Sequence, residues 1–548
     1  MLAYVRYFHP SDAAAGVDWD SVAVAGVSVV EPAADARALA DALRRVFGPL
    51  TVGMALSTDE PNRATSSVNF CRESTQVVAW RHVGVGDRRN PPQYGSTRIA
   101  VPAPNCVPPD SVPDPRQPFV SALGGGVWLV MPTALFVDPS GRPGAGPRPN
   151  VRSDTLLSAA RRDVRLAAVA MGWGTLKHFY PYWDVAGTDW DAQLAPALRA
   201  AATDADELAF LATLRRLIAA MNDGHANVYH RRDPASHLPP VELEWVEGRL
   251  AVAAVVADSA GGLRPGDVLV SVDGRPVGDV VAELHPRISA ANEGWRRYRS
   301  AGDVLAGPRD SPARLVVERG GRRQEATLVR SRFRNLRLRR EGEPLRELEP
   351  GIFYVDLDRI TQAQYDAAVG RLAEARGIVF DLRGYPREVR PAFLEHLSRE
   401  PLQSARWIIP IATQPADVGR RFHLGGRWNL TPRQPHVAAP RVFLIDGRAI
   451  SYAESVMGIV EAYRLGETVG DTTAATNGNV QSLALPGGYT VAFTGMKVLK
   501  HDESQHHMVG IAPTVPAART LAGLAAGRDE VLERGLQVLR EKIAVGAP

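Results

Sequence analysis

Ser451 stands where an apolar run, Val442 to Ile445, ends in an Asp446-Gly447 turn and a helical pattern begins at Tyr452. Strand, turn and helix in that order put the hydroxyl beside the first turn of a helix, where free backbone N–H groups can stabilise a developing oxyanion. A plainer reading fits the same residues: Ser451-x-x-Glu454 is a capping box, in which serine and glutamate satisfy each other's orphan amides. A serine hydroxyl is a poor nucleophile without a base. Lysine occurs only at Lys177, Lys497, Lys500 and Lys542, and the last two before the C-terminal helix, Lys497 and Lys500, are fallback bases only. The histidine that invites attention is His225, in Met221-Asn222-Asp223-Gly224-His225-Ala226. A second group, His501, His506 and His507 with Asp502 and Glu503, lacks the H-x-x-x-H spacing of zincins. Adjacent histidines do not easily turn to one ion, so this group is expected to form a flexible rim beside the site rather than a metal centre. No glycine-rich phosphate loop or dinucleotide fingerprint occurs, and no cofactor is expected.

With 548 residues, 45% apolar and 23% charged, the chain has the composition of a globular protein of about three or four domains. No stretch reaches the length of a membrane span. The start, MLAYVRYFHPSD, lacks the basic and apolar blocks of a secretory signal. The net charge of +4 comes from scattered arginines without interleaved aromatics, which argues against a nucleic-acid partner. Cys71 and Cys106 have no metal-type spacing, and either a disulfide or two inert thiols fits them.

The elements that must position Ser451 and His225 follow from patterning. Tyr7-Phe8-His9-Pro10 with Gly16-Val17-Asp18-Trp19-Asp20 is matched, at the same spacing, by His178-Phe179-Tyr180-Pro181 with Gly187-Thr188-Asp189-Trp190-Asp191, and the register continues to Leu43-Arg44-Arg45 and Leu214-Arg215-Arg216. One helical unit is therefore present twice, and only the second copy ends in a histidine. Between the copies, short strands such as Gln76 to Val83 and Val127 to Val137, separated by Pro-rich loops, predict a β-sandwich or jelly-roll insert. Gly262 to Val277 reads as strand, Pro-Gly-Asp turn, strand and Asp-Gly turn, and Asn292 to Arg309 as an insertion in that small domain. From Gly351 strands and helices alternate. Expected there are a strand Gly377 to Asp381, a helix near Ala392 to Ser398, a strand Arg406 to Ile411 and a last helix Asp529 to Ile543.

The phrases Asp223-Gly224-His225, Gly262 to Val277, Phe380-Asp381-Leu382-Arg383-Gly384, Ser451-Tyr452-Ala453-Glu454, Val469-Gly470-Asp471, Leu485-Pro486-Gly487-Gly488 and Gly510-Ile511-Ala512-Pro513 occur in order. From Leu166 onward the chain resembles the C-terminal-processing (tail-specific) serine peptidases, more closely their tricorn-core-like branch, and Gly262 to Val277 resembles a PDZ domain. The resemblance implies a multidomain α+β protein: 1–56 first helical unit, 57–150 β-rich domain, 151–238 second helical unit with His225, 239–331 PDZ-like domain, and 332–548 crotonase-like α/β core. It implies Ser451 as nucleophile, the amides of Tyr452 and Gly384 as oxyanion hole, and His225 as base. The family lysine is replaced by Asn477, although Gln481 of that phrase is present. The residue before the histidine is Gly224 where the branch has serine, and His507 falls where the branch has glutamate. Glu503 and Asp223 are then the nearest acids to orient the imidazole. Implied partners are protein or peptide substrates, and the resemblance points outside the cytoplasm. The rival expectation is a catalytically silent peptide-binding protein of the same fold; a weaker one is a non-peptidase acting on acyl thioesters.

Overall fold

The computed structural model of the chain describes residues 1–61, 71, 76–85, 92–137, 157–256, 261–333, 340 and 342–546. It is a multidomain α+β structure. The centre is a six-stranded sheet in the order Leu345–Glu349, Ile352–Asp356, Gly377–Asp381, Arg441–Ile445, Glu467–Gly470 and Val515–Pro516. The first strand is antiparallel and the other pairings are parallel. Parallel strands covered on both faces need apolar residues at every position, and Ile352–Asp356, Gly377–Asp381 and Val442 to Ile445 are buried throughout. Phe353, Phe380 and Phe443 face the helices Gln362–Ala373 and Tyr452–Ala462, whereas Tyr354, Val379 and Leu444 face Glu530–Gly546.

Asp381 ends its strand fully buried, which is tolerable only with compensation. Arg383 supplies it through bonds of 2.6 to 3.2 Å, and Tyr354 Oη donates to it at 2.8 Å. The nearby guanidiniums of Arg340 and Arg383 hold the Asp381 carboxyl well below the usual range against the effect of burial. Arg383 also clasps Asp529 at 2.7 Å, tying the last helix to the chain segment leading into Gly384.

The two helical copies pack on each other in one core. Tyr7 and Phe8 stack edgewise on Phe179 and His178, and Tyr7 Oη bonds Thr175 Oγ1 at 2.9 Å. The small domain is a sheet in the order Arg322–Val329, Pro312–Arg319, Val268–Val272, Arg249–Val255 and Val241–Val246. Its insertion contains a helix, Glu293–Asp303, capped by Asn292. Asn292 Nδ2 reaches Thr473 O at 2.6 Å, and a Cβ on Gly447 would lie 2.7 Å from the Gly294 backbone. That helix is a strut between the small domain and the turn that leads to Ser451.

Several expectations need correction. The β-rich insert, parts of which (62–70, 72–75, 86–91 and 138–150) lie outside the described residues, is not a self-contained sandwich among those described. Its strands Gln76–Val83, Gly95–Pro102 and Ala134–Val137 share a sheet with Trp407–Ala412, Arg421–Leu424 and Lys497–Val498 from the core region. Open sheet edges favour this joining. The expected helix near 392–398 is a 3₁₀ segment, Pro391–His396, opened by proline. Cys71 and Cys106 are disulfide-bonded.

Arg383→Met leaves the buried Asp381 carboxylate with Arg340 as its remaining cation among the described residues and is expected to destabilise the core by about 3 kcal/mol. A lowered denaturant midpoint, partly restored in the Asp381→Leu/Arg383→Met double variant, checks this; an unchanged midpoint contradicts it.

Candidate active site

Ser451 opens the helix Tyr452–Ala462 with φ 59° and ψ −113°, outside the ordinary left-handed basin. Such a backbone costs about 1–3 kcal/mol and persists only where its surroundings over-determine it. Here the Ser451 N–H donates to Thr476 O at 2.9 Å. Glu454 does return to the Ser451 N–H, as a capping box requires, but at 3.3 Å. Its shorter bonds go elsewhere: the buried carboxylate accepts from Thr473 Oγ1 at 2.6 Å, Ala475 N at 2.8 Å and Thr476 N at 2.9 Å. The glutamate thus fastens a loop to the helix more than it caps it. Tyr452 occupies the first helical position, where the N–H has no intrahelical acceptor. Burial raises the Tyr385 hydroxyl, with Arg387 and a side-chain hydrogen bond to Ser451 acting the other way.

The histidine arrives from the end of the second helical copy. Tyr180 Oη holds Met221 O at 3.1 Å, and in the first copy His9 holds Val52 O at 3.0 Å from the matching position. After that point the copies diverge. Asp223 is fully buried; it accepts from His225 N at 3.0 Å, Thr494 N at 2.7 Å and Thr494 Oγ1 at 2.7 Å. His225 Nδ1 lies 2.8 Å from the same Thr494 hydroxyl. A carboxylate accepts only, so the single hydroxyl proton of Thr494 goes to Asp223 and its lone pair takes a proton from the ring. This network assigns the hydrogen to Nδ1 and leaves Nε2 as a lone-pair base. Burial lowers the His225 pKa, against the opposing charges of Asp223 and Glu454, so the ring is neutral at neutral pH.

Gly224 explains the missing serine. A Cβ there would lie 2.7 Å from Thr476 Oγ1 and 3.1 Å from Ile450 Cδ1, and the Gly224 N–H donates to that Oγ1 at 3.0 Å. Thr476 therefore holds Ser451 by its carbonyl and Gly224 by its hydroxyl. Ile450, which precedes the serine, borders the side-chain space left open at Gly224, which precedes the histidine.

The remaining candidates divide. Asp223 is at the site; Glu503 is exposed in a turn, its N–H on Lys500 O at 3.0 Å. His507 is buried, stacked on Tyr182 with centroids 4.1 Å apart and 3.3 Å from Tyr180 Oη. Burial lowers its pKa to about 4, so it packs as a neutral ring and supplies no carboxylate. With His506 also buried, this half of the expected rim belongs to the interior, while Asp502 and Glu503 are exposed. Among the described residues no cluster of His, Cys, Asp and Glu is arranged to hold a metal. Asn477, in the lysine's place, bonds Ser455 at 3.0 Å, one turn below Ser451. Gln481 is not with them: it accepts from Val85 N at 3.2 Å and docks the β-rich insert. Lys497 pairs with Asp184 at 2.5 Å and Lys500 with Glu461 at 2.8 Å. Gly384 spends its N–H on Leu382 O at 2.9 Å, so this oxyanion donor is not presented as the structure stands. Thr494, Thr476 and Tyr385 were not singled out in the sequence. The strand pairing of Ala492 with Asn227 carries Thr494 opposite His225, and nothing local in the sequence announces that pairing.

Residues 351–517 match peptidase family S41. The core is a peptidase family S41 domain. An alignment of 400 positions covering 67% of the chain is 26% identical to tricorn protease homolog 2 of Streptomyces coelicolor, and the chain spans 32% of that relative's length. The fold extends beyond the S41 domain: the structure of mature CPAF superposes with a TM-score of 0.55 at 14% identity, covering 71% of this chain and 99% of that one. Mature CPAF complexed with lactacystin superposes with a TM-score of 0.54 at 14% identity, covering 69% and 98%.

In ¹⁵N-histidine NMR the His225 ring is expected as the Nδ1–H tautomer, titrating below 6.5. Thr494→Val should mix the tautomers. A pKa at or above 6.5, or an Nε2–H ring, contradicts the network.

Proposed function

We propose that the chain is a serine endopeptidase in which Ser451 forms an acyl-enzyme and His225 is the general base. The observation that carries this reading is the Asp223–Thr494–His225 chain, because it leaves Nε2 unprotonated in a loop that touches the serine's own loop. Asp223 replaces the absent glutamate by acting through a hydroxyl. Among the described residues no hydrogen bond joins Ser451 to His225; bonds of this type tighten in the Michaelis complex. Nε2 takes the Ser451 proton as Oγ attacks the peptide carbonyl, then delivers it to the leaving amine, and water repeats the sequence on the ester. The Tyr452 N–H stabilises the oxyanion. Gly384 joins it once the substrate oxygen displaces the bond to Leu382 O, with the Tyr385 hydroxyl beside them.

In this reading the core is crotonase-like. The small domain is PDZ-like, and a substrate peptide adds along its edge strand Val241–Val246. Protein or peptide chains are the substrates. No helix among the described residues is long and apolar enough to cross a membrane.

One second reading has an observation behind it. Gly384 with its N–H engaged, and Asn477 where a lysine base would stand, fit a silent peptide-binding protein of the same fold.

A serine-reactive phosphonate is expected to label the wild type and not Ser451→Ala. Labelling of both removes Ser451 as nucleophile; peptide binding without turnover by either favours the silent reading. Asp223→Asn should lower kcat by about 10²–10⁴-fold through the wrong tautomer. Because burial lowers the His225 pKa, the acid limb of kcat/KM should fall below pH 6.5. A limb at or above that value counts against His225 as base.

A further inference from the structure

A cavity of about 220 Å³ lies behind the His225 loop, between the second helical copy and the small domain. Ala226 and Asn227, the two residues after His225, line it. So does Ser289, whose Oγ accepts the Asp223 N–H at 3.0 Å. Three arginines line the same space: Arg215 from the helix Glu207–Ala219, Arg287, and Arg299 from the strut helix.

Two of the nearby carboxylates are committed to arginines. Asp233 is held by Arg215 at 2.5 Å, and Glu283 is shared by Arg275 at 2.7 Å and Arg287 at 2.9 Å. Asp303, which also lines the cavity, has a partner of its own, although its Oδ1 accepts no hydrogen bond. Arg299 has no anionic partner among the described residues. Its guanidinium carbon lies 5.8 Å over the Trp295 ring. The Nε atoms of Arg287 and Arg299 are both sealed from solvent without an acceptor. Burial lowers the Arg299 pKa, Arg215 pushes it the same way, and only the hydroxyls of Tyr229 and Tyr298 oppose them. A half-buried cation whose Nε–H meets no acceptor is unfavourable, whereas two planar guanidiniums lining one cavity suit an oxyanion held by two forks.

We propose that this cavity is a binding site for a small oxyanion, a phosphate or carboxylate group, held chiefly by Arg299 and Arg287. An anion there would join the small domain to the helical copy and brace the loop that carries His225. This site goes beyond the peptidase reading and does not depend on it.

The test is calorimetric titration of the full chain with inorganic phosphate at constant ionic strength, for the wild type, Arg299→Met and Arg287→Met. Expected is one saturable site in the wild type, weakened at least about tenfold in each folded variant. Phosphate should also raise the unfolding midpoint of the wild type more than that of the variants. If a short peptide with a free C-terminal carboxylate displaces phosphate and its amide does not, the anion arrives on a chain end. If neither displaces it, the anion is a free one; both results support the site. No saturable binding by the wild type, or equal affinity in a folded variant, overturns it. Should Arg299→Met fail to fold, Arg287→Met decides.

Discussion

Everything at the site depends on where one buried carboxylate puts the loop 473–476. Glu454 accepts from Thr473 Oγ1 and the amides of Ala475 and Thr476, and its own helix rests on the central sheet. A carboxylate with several inward-pointing donors fixes a loop more tightly than neutral bonds do, because each bond is charge-assisted when the group is ionised. From that loop Thr476 reaches two ways, to the strained Ser451 amide and to Gly224. The serine's unusual backbone and the histidine's approach are therefore set by one anchor, although they come from segments more than two hundred residues apart in the chain.

The duplication shows how such a site can grow from a packing unit. Both copies close their terminal loop with a polar side chain from the equivalent aromatic phrase, His9 on Val52 O and Tyr180 on Met221 O. Only the second loop then meets the strand Tyr489–Thr494, and only there do Asp223 and His225 find Thr494. The first copy supplies bulk to the shared core, and its loop turns to the β-rich side, where Trp80 Nε1 bonds His9 O at 3.0 Å.

Much of this was legible in the sequence. The buried strands, the turn before Ser451, the repeat and the order of phrases needed only period and punctuation. Capping residues such as Thr361 and Asn292 also behave as their types suggest. What escaped depends on pairing between distant segments. Thr494 acquires a role only through sheet register, and Gly224 can be seen as a necessity rather than a loss only once Thr476 is known to fill its side-chain space. Gln481, read by its phrase as a neighbour of the site, meets Val85 of the insert instead, a partner that the phrase alone does not state. The sharing of strands between insert and core was hidden for the same reason.

The close approach of Gly294 to Gly447 gives the strut helix a further meaning. Backbone meets backbone there without a side chain to cushion the contact, so the small domain's helix is one wall of the turn that leads to Ser451. The placement of the small domain and the alignment of that serine are mechanically one coordinate, because a shift of the helix bears directly on the turn.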